Sequence, residues 1–376
     1  MDKKLLLVII CSFIVWLYYL SLGTIIGADS YYYLNIVCGI TPNNDGNFLF
    51  AGLLNILPCS LIIIKLLYFG LWTATLIVVY KIGGLFDKKT AWWFPSILFA
   101  FTFFITEYWK FENDTIGFLL AFIGFYYLLK ITLNTKWTTK IWEHKEFWLG
   151  VISFSIAGLF WKGTIYWIYS LVFLNIIFVP IVILALLVFG PSSLWIFSAS
   201  QEVYEQLPFI SIIFFGVSIF FLYGVLKNNY KINLMLVYLL MPAIMINKLF
   251  VLPILFLTIT CFNGLKILRK NEVVNQTLII FVCLMTLFWC VNLSYQFPQQ
   301  QDIDLIQQGI ILDNNLENTF GAGYIIEFYG GTPSDKSSYD GEITKKGIVI
   351  DVIDQNNFDN CKIINTTRYL LLEVCE

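Results

Sequence analysis

Leu5-Leu6-Leu7-Val8-Ile9-Ile10-Cys11-Ser12-Phe13-Ile14-Val15-Trp16-Leu17-Tyr18-Tyr19-Leu20 is an uncharged, apolar run that directly follows Lys3-Lys4. Crossing a hydrocarbon core of roughly 30 Å takes about 20 helical residues. This run has nearly that length and closes on Trp and Tyr, residues that favour headgroup depth. A basic flank ahead of an apolar run also suits a secretory signal. No small-x-small cleavage site follows it, so it reads as a retained first helix. Runs of the same kind recur along the 376 residues, which are 59% hydrophobic and only 13% charged. Soluble domains are about a quarter charged. The expected fold class is therefore an all-α polytopic membrane protein. A net charge of −2 without any basic stripe excludes nucleic acid as a partner.

Lysine and arginine placement orients the helices. Basic groups recur at Lys3 and Lys4, Lys88 and Lys89, Lys136, Lys140 and Lys145, Lys227 and Lys231, and Lys266, Arg269 and Lys270. With each group cytoplasmic, the N-terminus lies inside. The loops 24–56, 108–114 and 197–208, a short turn near Lys248, and everything after about 297 then lie outside. The pattern closes with about 11 spans if 164–196 is a hairpin turning near Pro180. Two regions follow: a transmembrane domain over 1–297 and an extracytoplasmic domain over 298–376. The second is rich in Gln, Asn, Asp and Gly, and strand-like runs at Gly347–Val352 and Arg368–Val374 are separated by turn residues. It is expected to be a small α/β cap on the outer face of a cell membrane.

Cysteine and histidine add little chemistry. Cys11, Cys59, Cys261, Cys283 and Cys290 fall in or beside apolar runs, where Cys behaves as a small hydrophobe. Cys361 and Cys375 flank the last strand-like run, and their spacing alone leaves a disulfide open. The single histidine, His144, stands among lysines in a polar loop and reads as a solvated surface residue.

The carboxylates of the outer loops are more suggestive. Gly27-Ala28-Asp29-Ser30-Tyr31-Tyr32-Tyr33-Leu34 sets an aspartate just after the first span, ahead of three tyrosines. Lys110-Phe111-Glu112-Asn113-Asp114-Thr115 holds two carboxylates separated by one residue. Both readings of these residues are open. Asp29 can cap an interfacial helix and Asp114 a helix starting near Ile116. Acidic-x-acidic spacing also lets two carboxylates face one hard divalent cation. A third outer loop, Ser198-Ala199-Ser200-Gln201-Glu202-Val203-Tyr204-Glu205-Gln206-Leu207-Pro208, carries two more. Two lysines break the inner-side pattern, Lys248 and, roughly two turns into the second span, Lys65, and Lys162 in Trp161-Lys162-Gly163 also lies at an outer edge. Lys65 is expected to snorkel to the headgroups. Lys248 either snorkels or serves a diphosphate leaving group.

The order and common side of these features resemble the catalytic-subunit family of the oligosaccharyltransferases, membrane glycosyltransferases of the GT-C fold. Gly27 to Tyr32 is similar to the family's first acidic motif and Glu112-Asn113-Asp114 to its second. Ala199-Ser200-Gln201-Glu202 falls where the family has a loop glutamate, with Glu205 as its rival. Asn247-Lys248-Leu249-Phe250 puts Lys248 where a phosphate-contacting arginine is usual, and Phe320 to Gly331 is similar to the region of the Trp-Trp-Asp-Tyr-Gly motif.

The resemblance implies transfer of a glycan from a polyprenyl or dolichyl (di)phosphate to an asparagine of an acceptor polypeptide. Asp29, Asp114 and Glu202 would be the catalytic residues. They and Glu112 would hold Mg²⁺ or Mn²⁺, with Lys248, Glu205 and Tyr324 touching substrate. With Gly323-Tyr324 aligned, the Trp-Trp-Asp positions become Thr319, Phe320 and Gly321, which lack the carboxylate that receives the acceptor hydroxyl. That departure favours a rival within the same fold, acting on a lipid or a Ser/Thr hydroxyl. From a different class, a non-catalytic subunit or a transporter stays open. Asn113, Asn292 and Asn365 each begin an Asn-x-Ser/Thr triplet in regions expected outside. Asn275 begins one expected inside.

Overall fold

The computed structural model describes residues 2–42, 48–100, 102–134, 141–161, 163–174, 183, 224–228, 230–245, 253–266, 272–318, 323–333, 347–352 and 361–375. Among these, four helices are long and apolar enough to cross a membrane: α1 (Lys3–Ser21), α4 (Leu61–Phe86), most of α7 (Asp114–Asn134) and α12 (Glu272–Leu293). On α12 one stripe, Val273, Ile280, Leu284, Leu287 and Val291, is more than half exposed, as on a helix face that contacts lipid. The expected hairpin at Pro180 lies outside the described residues. His144 is exposed, at the N-terminal boundary of α8 (Lys145–Phe160).

The chain divides into two compact units. The first holds 1–13, 70–107 and 113–286, and the second 14–69, 108–112 and 287–376. In the first unit the most extensive pairing is α7 with α8, where small residues let the backbones approach. Phe147, Gly150, Phe154 and Ala157 recur on one buried face of α8. A Cβ on Gly124 of α7 would lie 2.6 Å from the Phe154 ring, and one on Gly150 2.7 Å from Leu128. Small residues at such seams are how apolar helices gain dispersion contact without a hydrophobic driving force. Further along, Asn228 bonds Asn233, Thr260 and Asn263, tying the start of α10 (Tyr230–Met245) to α11 (Ile254–Leu265).

The second unit gathers loop 24–60, segment 108–112 and the whole tail. The tail, read from composition as a cap of its own from 298 on, packs here in one unit with the first loop. Its sheet has five strands: β1 (Asn315–Asn318), β2 (Thr332–Pro333), β3 (Gly347–Val352), β4 (Cys361–Thr366) and β5 (Leu370–Cys375), in the order β2-β1-β3-β5-β4. The β1 pairings are parallel, and the β3–β5 and β4–β5 pairings are antiparallel. Both strand-like runs read from sequence are strands, β3 over the same residues and β5 shifted to start at Leu370. Helix α13 (Gln300–Leu312) buries Ile303, Leu305, Ile306 and Gly309, and Gly309 faces Leu316, Ile350 and Leu372. Asp302, 1% exposed, starts that helix: its carboxylate accepts from Gln299 N–H (2.8 Å) and from the Thr367 hydroxyl (2.5 Å).

Packing at the α7–α8 seam is directly testable. Gly124→Leu drives atoms into Phe154 and the Gly150 carbonyl, and is expected to cost about 1–3 kcal/mol. Gly70→Leu, where an added Cβ meets nothing within 4 Å, is expected to cost less than about 0.5 kcal/mol. Thermal unfolding of both variants in detergent checks this.

Candidate functional site

The second unit takes in the last turns of α1, and a lysine decides how that helix ends. Lys65 Nζ donates to the Tyr19 carbonyl (2.8 Å) and the Leu22 carbonyl (2.6 Å) and lies 4.2 Å from the Tyr19 ring centroid. It is 2% exposed. The expectation that it snorkels outward is thus corrected. The last carbonyls of a helix have no partner within it, and the ammonium satisfies two of them instead of reaching headgroups. Tyr19 carries the tie further, its hydroxyl donating to the Trp109 carbonyl (2.5 Å) and accepting from Ile26 N–H (3.4 Å).

Beyond that point two stretches of chain run side by side. Ile26 bridges Lys110 in parallel register. Phe111 N–H donates to Ser30 Oγ (2.9 Å), whose hydroxyl in turn donates to the Ile26 carbonyl (2.5 Å). Gly27, at φ 86°, turns the chain into α2 (Ala28–Val37) and donates its N–H to the Phe297 carbonyl (3.0 Å). A positive φ of this size is a glycine conformation. The pairing brings the segment bearing Asp29 beside the segment bearing Glu112.

The two carboxylates differ. Asp29 is exposed, in the first turn of α2, where a negative charge complements the helix dipole. Glu112 is 6% exposed and belongs to neither flanking helix. Its backbone carbonyl accepts from the Tyr68 hydroxyl. Next to it the Phe111 ring is enclosed by Tyr33, Phe50 and Tyr68 at centroid distances of 6.2, 6.1 and 5.7 Å. Asp114 belongs to the first unit. It is 8% exposed and is itself the first residue of α7, so the helix starts ahead of the Ile116 expected from sequence.

Tyr324 lies in α14 (Gly323–Phe328), which packs on α2. Its ring stands 5.0 Å from Tyr32, and its carbonyl accepts from Asn35 Nδ2 (2.9 Å). The same Asn35 amide donates to Glu327 Oε2 (3.2 Å), which also accepts from the Thr41 hydroxyl (3.0 Å). Tyr31 is fully buried against Phe328 and Tyr329. Burial, with the Tyr329 phenol adding to it, holds the Tyr31 phenol well above its ordinary range. Burial also raises Tyr329. Asn35 and Glu327 escaped the sequence reading because single polar residues in aromatic helices carry no pattern.

Cys59 is not the free small hydrophobe expected: it is bonded to Cys38, closing the first loop. Cys361 and Cys375 are likewise bonded, across the β4–β5 pair. Among the described residues, one group of three potential metal ligands is compact, Cys361, Glu373 and Cys375. Its two sulfurs are consumed by their mutual bond and offer no thiolate. For a hard divalent cation the fitting donors are oxygens, and Asp29, Glu112 and Asp114 have that chemistry. Glu202, Glu205, Lys248 and Lys162 lie outside the described residues, as do Thr319, Phe320 and Gly321.

No family model matches the chain, and no curated protein matches it.

Burying Tyr31 neutral has a pH signature. A phenol whose folded pKa is raised contributes stability in full below its unfolded pKa of about 10 and loses it as pH climbs above that value. Tyr31→Phe keeps the ring and removes the ionisation. The variant is expected to lose less stability than the parent between about pH 10 and 11, measured by thermal unfolding across that range.

Proposed function

We propose that the chain is a multi-pass membrane glycosyltransferase of the GT-C type. In this reading it has about 11 spans, a cytoplasmic N-terminus and an extracytoplasmic tail. It moves a glycan from a polyprenyl or dolichyl (di)phosphate to an acceptor asparagine at the outer face. The observation that carries the reading is the pairing of residues 26–30 with 110–111, which sets the segments of Asp29 and Glu112 side by side.

Two further findings support it. The first loop, segment 108–112 and the tail, all assigned to one side by lysine and arginine placement, fold into a single unit. Both disulfides lie in that unit, and stable disulfides belong to oxidising, extracytoplasmic surroundings.

Each residue then has a distinct task. Asp29, Glu112 and Asp114, with Glu202 or Glu205, would hold Mg²⁺ or Mn²⁺. Such a cation supplies charge neutralisation for the departing diphosphate. Carboxylates without it would repel that group. Lys248 contacts phosphate, and Tyr324, seated on Tyr32, contacts substrate where the tail meets α2. A lipid-linked donor presents its headgroup at the membrane surface, so a site built on loops at helix ends suits it.

A second reading has its own observation. Asp29 and Asp114 each sit in the first turn of a helix, where a carboxylate is stabilising without any cation. On that reading the chain is a non-catalytic membrane subunit. The poor match at Thr319, Phe320 and Gly321 favours a variant of the first reading, with a lipid or Ser/Thr hydroxyl as acceptor.

Glycan transfer by purified protein, from a lipid-linked donor to an Asn-x-Thr peptide with Mn²⁺ present, separates these outcomes. Chelation is expected to abolish transfer. Glu112→Gln, which keeps size and burial, is expected to lower it by roughly 10- to 100-fold, with partial recovery at higher Mn²⁺. Full activity in Asp29→Ala and Asp114→Ala would sink the metal-site assignment. Transfer to a Ser/Thr peptide or lipid alone would move the acceptor class.

A further inference from the structure

Four Asn-x-Ser/Thr triplets occur in the chain, at Asn113, Asn275, Asn292 and Asn365, and the structure treats them very differently. Thr115 is fully buried, so the hydroxyl of the first triplet has no route to an enzyme. Asn275 lies in α12 with its Oδ1 accepting from the Trp93 indole (3.1 Å). Asn292 lies near the end of the same helix, ahead of a fully buried Leu293. On a helix, side chains two positions apart point away from each other, so Asn275 and Thr277 cannot be presented together, and Asn292 Oδ1 accepts from Gln296 Nε2 (2.6 Å).

Asn365 is the exception. It lies on β4, the strand that ends the sheet order, and both Asn365 and Thr366 are exposed. Thr367 follows directly on the end of β4, so the partners of the two side chains decide whether they share a side. Asn365 Nδ2 donates to Gln308 (2.7 Å) and the Thr367 hydroxyl donates to Asp302 (2.5 Å), both partners being on α13. The amide and hydroxyl of this triplet therefore do stand on one side. The Gln308 bond involves an exposed residue, and releasing it uncovers no apolar core.

We propose that Asn365 is an N-glycosylation site that receives a glycan from a polyprenyl (di)phosphate-linked donor through a membrane asparagine glycosyltransferase. The inference rests on the proposed extracytoplasmic position of the tail. In the reaction Asn365 Nδ2 forms a bond to the sugar C1 and the C1–O bond to phosphate breaks. The lipid (di)phosphate leaves with that electron pair, and one amide proton passes to a base. The modification also answers a feature of the fold. Among the described residues β4 pairs with β5 alone, and it exposes Ile363 (54%) and Ile364 (41%). An uncovered edge strand with apolar side chains templates association, and a hydrated glycan at Asn365 blocks that approach.

The test uses full-length protein from the membranes of the cells that make it. Trypsin cuts after Lys362 and Arg368, releasing Ile363–Arg368 with the triplet intact. Mass spectrometry of the wild-type protein is expected to find this peptide mostly carrying a glycan. The added mass is expected to vanish in Asn365→Gln and Thr367→Ala and to persist in Thr367→Ser. The wild-type peptide mass needs no variant to fold. Side is read separately, with an impermeant maleimide on the Ile311→Cys variant, a position 85% exposed on α13. A bare peptide, with the Ile311→Cys variant labelled in intact cells, overturns the modification and leaves the sidedness standing. A bare peptide with labelling only after lysis overturns both.

Discussion

Lys65 brings a side-chain amine into the protein with almost no solvent contact, and the base of the first loop is built on satisfying it. An unpaired buried charge is among the most expensive things a fold can contain. Lys65 meets that cost with the carbonyls of Tyr19 and Leu22, and with the face of the Tyr19 ring. The carbonyls ending a helix carry partial negative charge, so the interaction is electrostatically matched without any acid. It also fixes geometry, since the first turn of α4 must stay beside the last turn of α1. Loop 22–60, which joins those turns, is therefore closed at its base, and the Cys38–Cys59 bond closes it a second time.

With that base fixed, Tyr19 becomes a shared partner for Trp109 and Ile26, and the 26–30 and 108–112 segments are drawn into register. The tail joins the same construction. Gly27 and Thr24 bond the Phe297 and Pro298 carbonyls, where α12 gives way to the tail. Tyr31, Tyr32 and Asn35 on α2 receive Tyr324, Glu327, Phe328 and Tyr329 from α14 and its end. A small mixed sheet is marginal alone. Here it gains a buried aromatic seam with the first loop, which explains why the two cluster together.

Features generated by local patterns were legible in the sequence. The apolar runs at α1, α4, α7 and α12 are long enough to read directly, and β3 and β5 stand out between turn residues. What could not be read depends on partners distant in the chain. Lys65 looked like a snorkelling residue because the carbonyls it serves belong to another helix. Cys59 looked like a small hydrophobe because its partner lies across a loop. Asp29 and Asp114 were visible as acidic residues near helix starts, but sequence alone does not separate capping from ligation at such positions.

Glu112 is where those two explanations part. Asp29 and Asp114 are each accounted for by a helix terminus, and a carboxylate in a first turn is stabilising whether or not a cation is near. Glu112 has no such account: α6 (Thr102–Glu107) ends before it and α7 begins after it. It is also held where carboxylates are costly, at 6% exposure beside an aromatic cluster, with its backbone pinned by Tyr68 and its neighbour Phe111 by Ser30. What the structure fixes here is backbone: the Tyr68 and Ser30 bonds hold segment 111–112 next to the segment bearing Asp29. The proposed metal site is therefore tested most directly at Glu112, whose place in the chain no helix terminus sets.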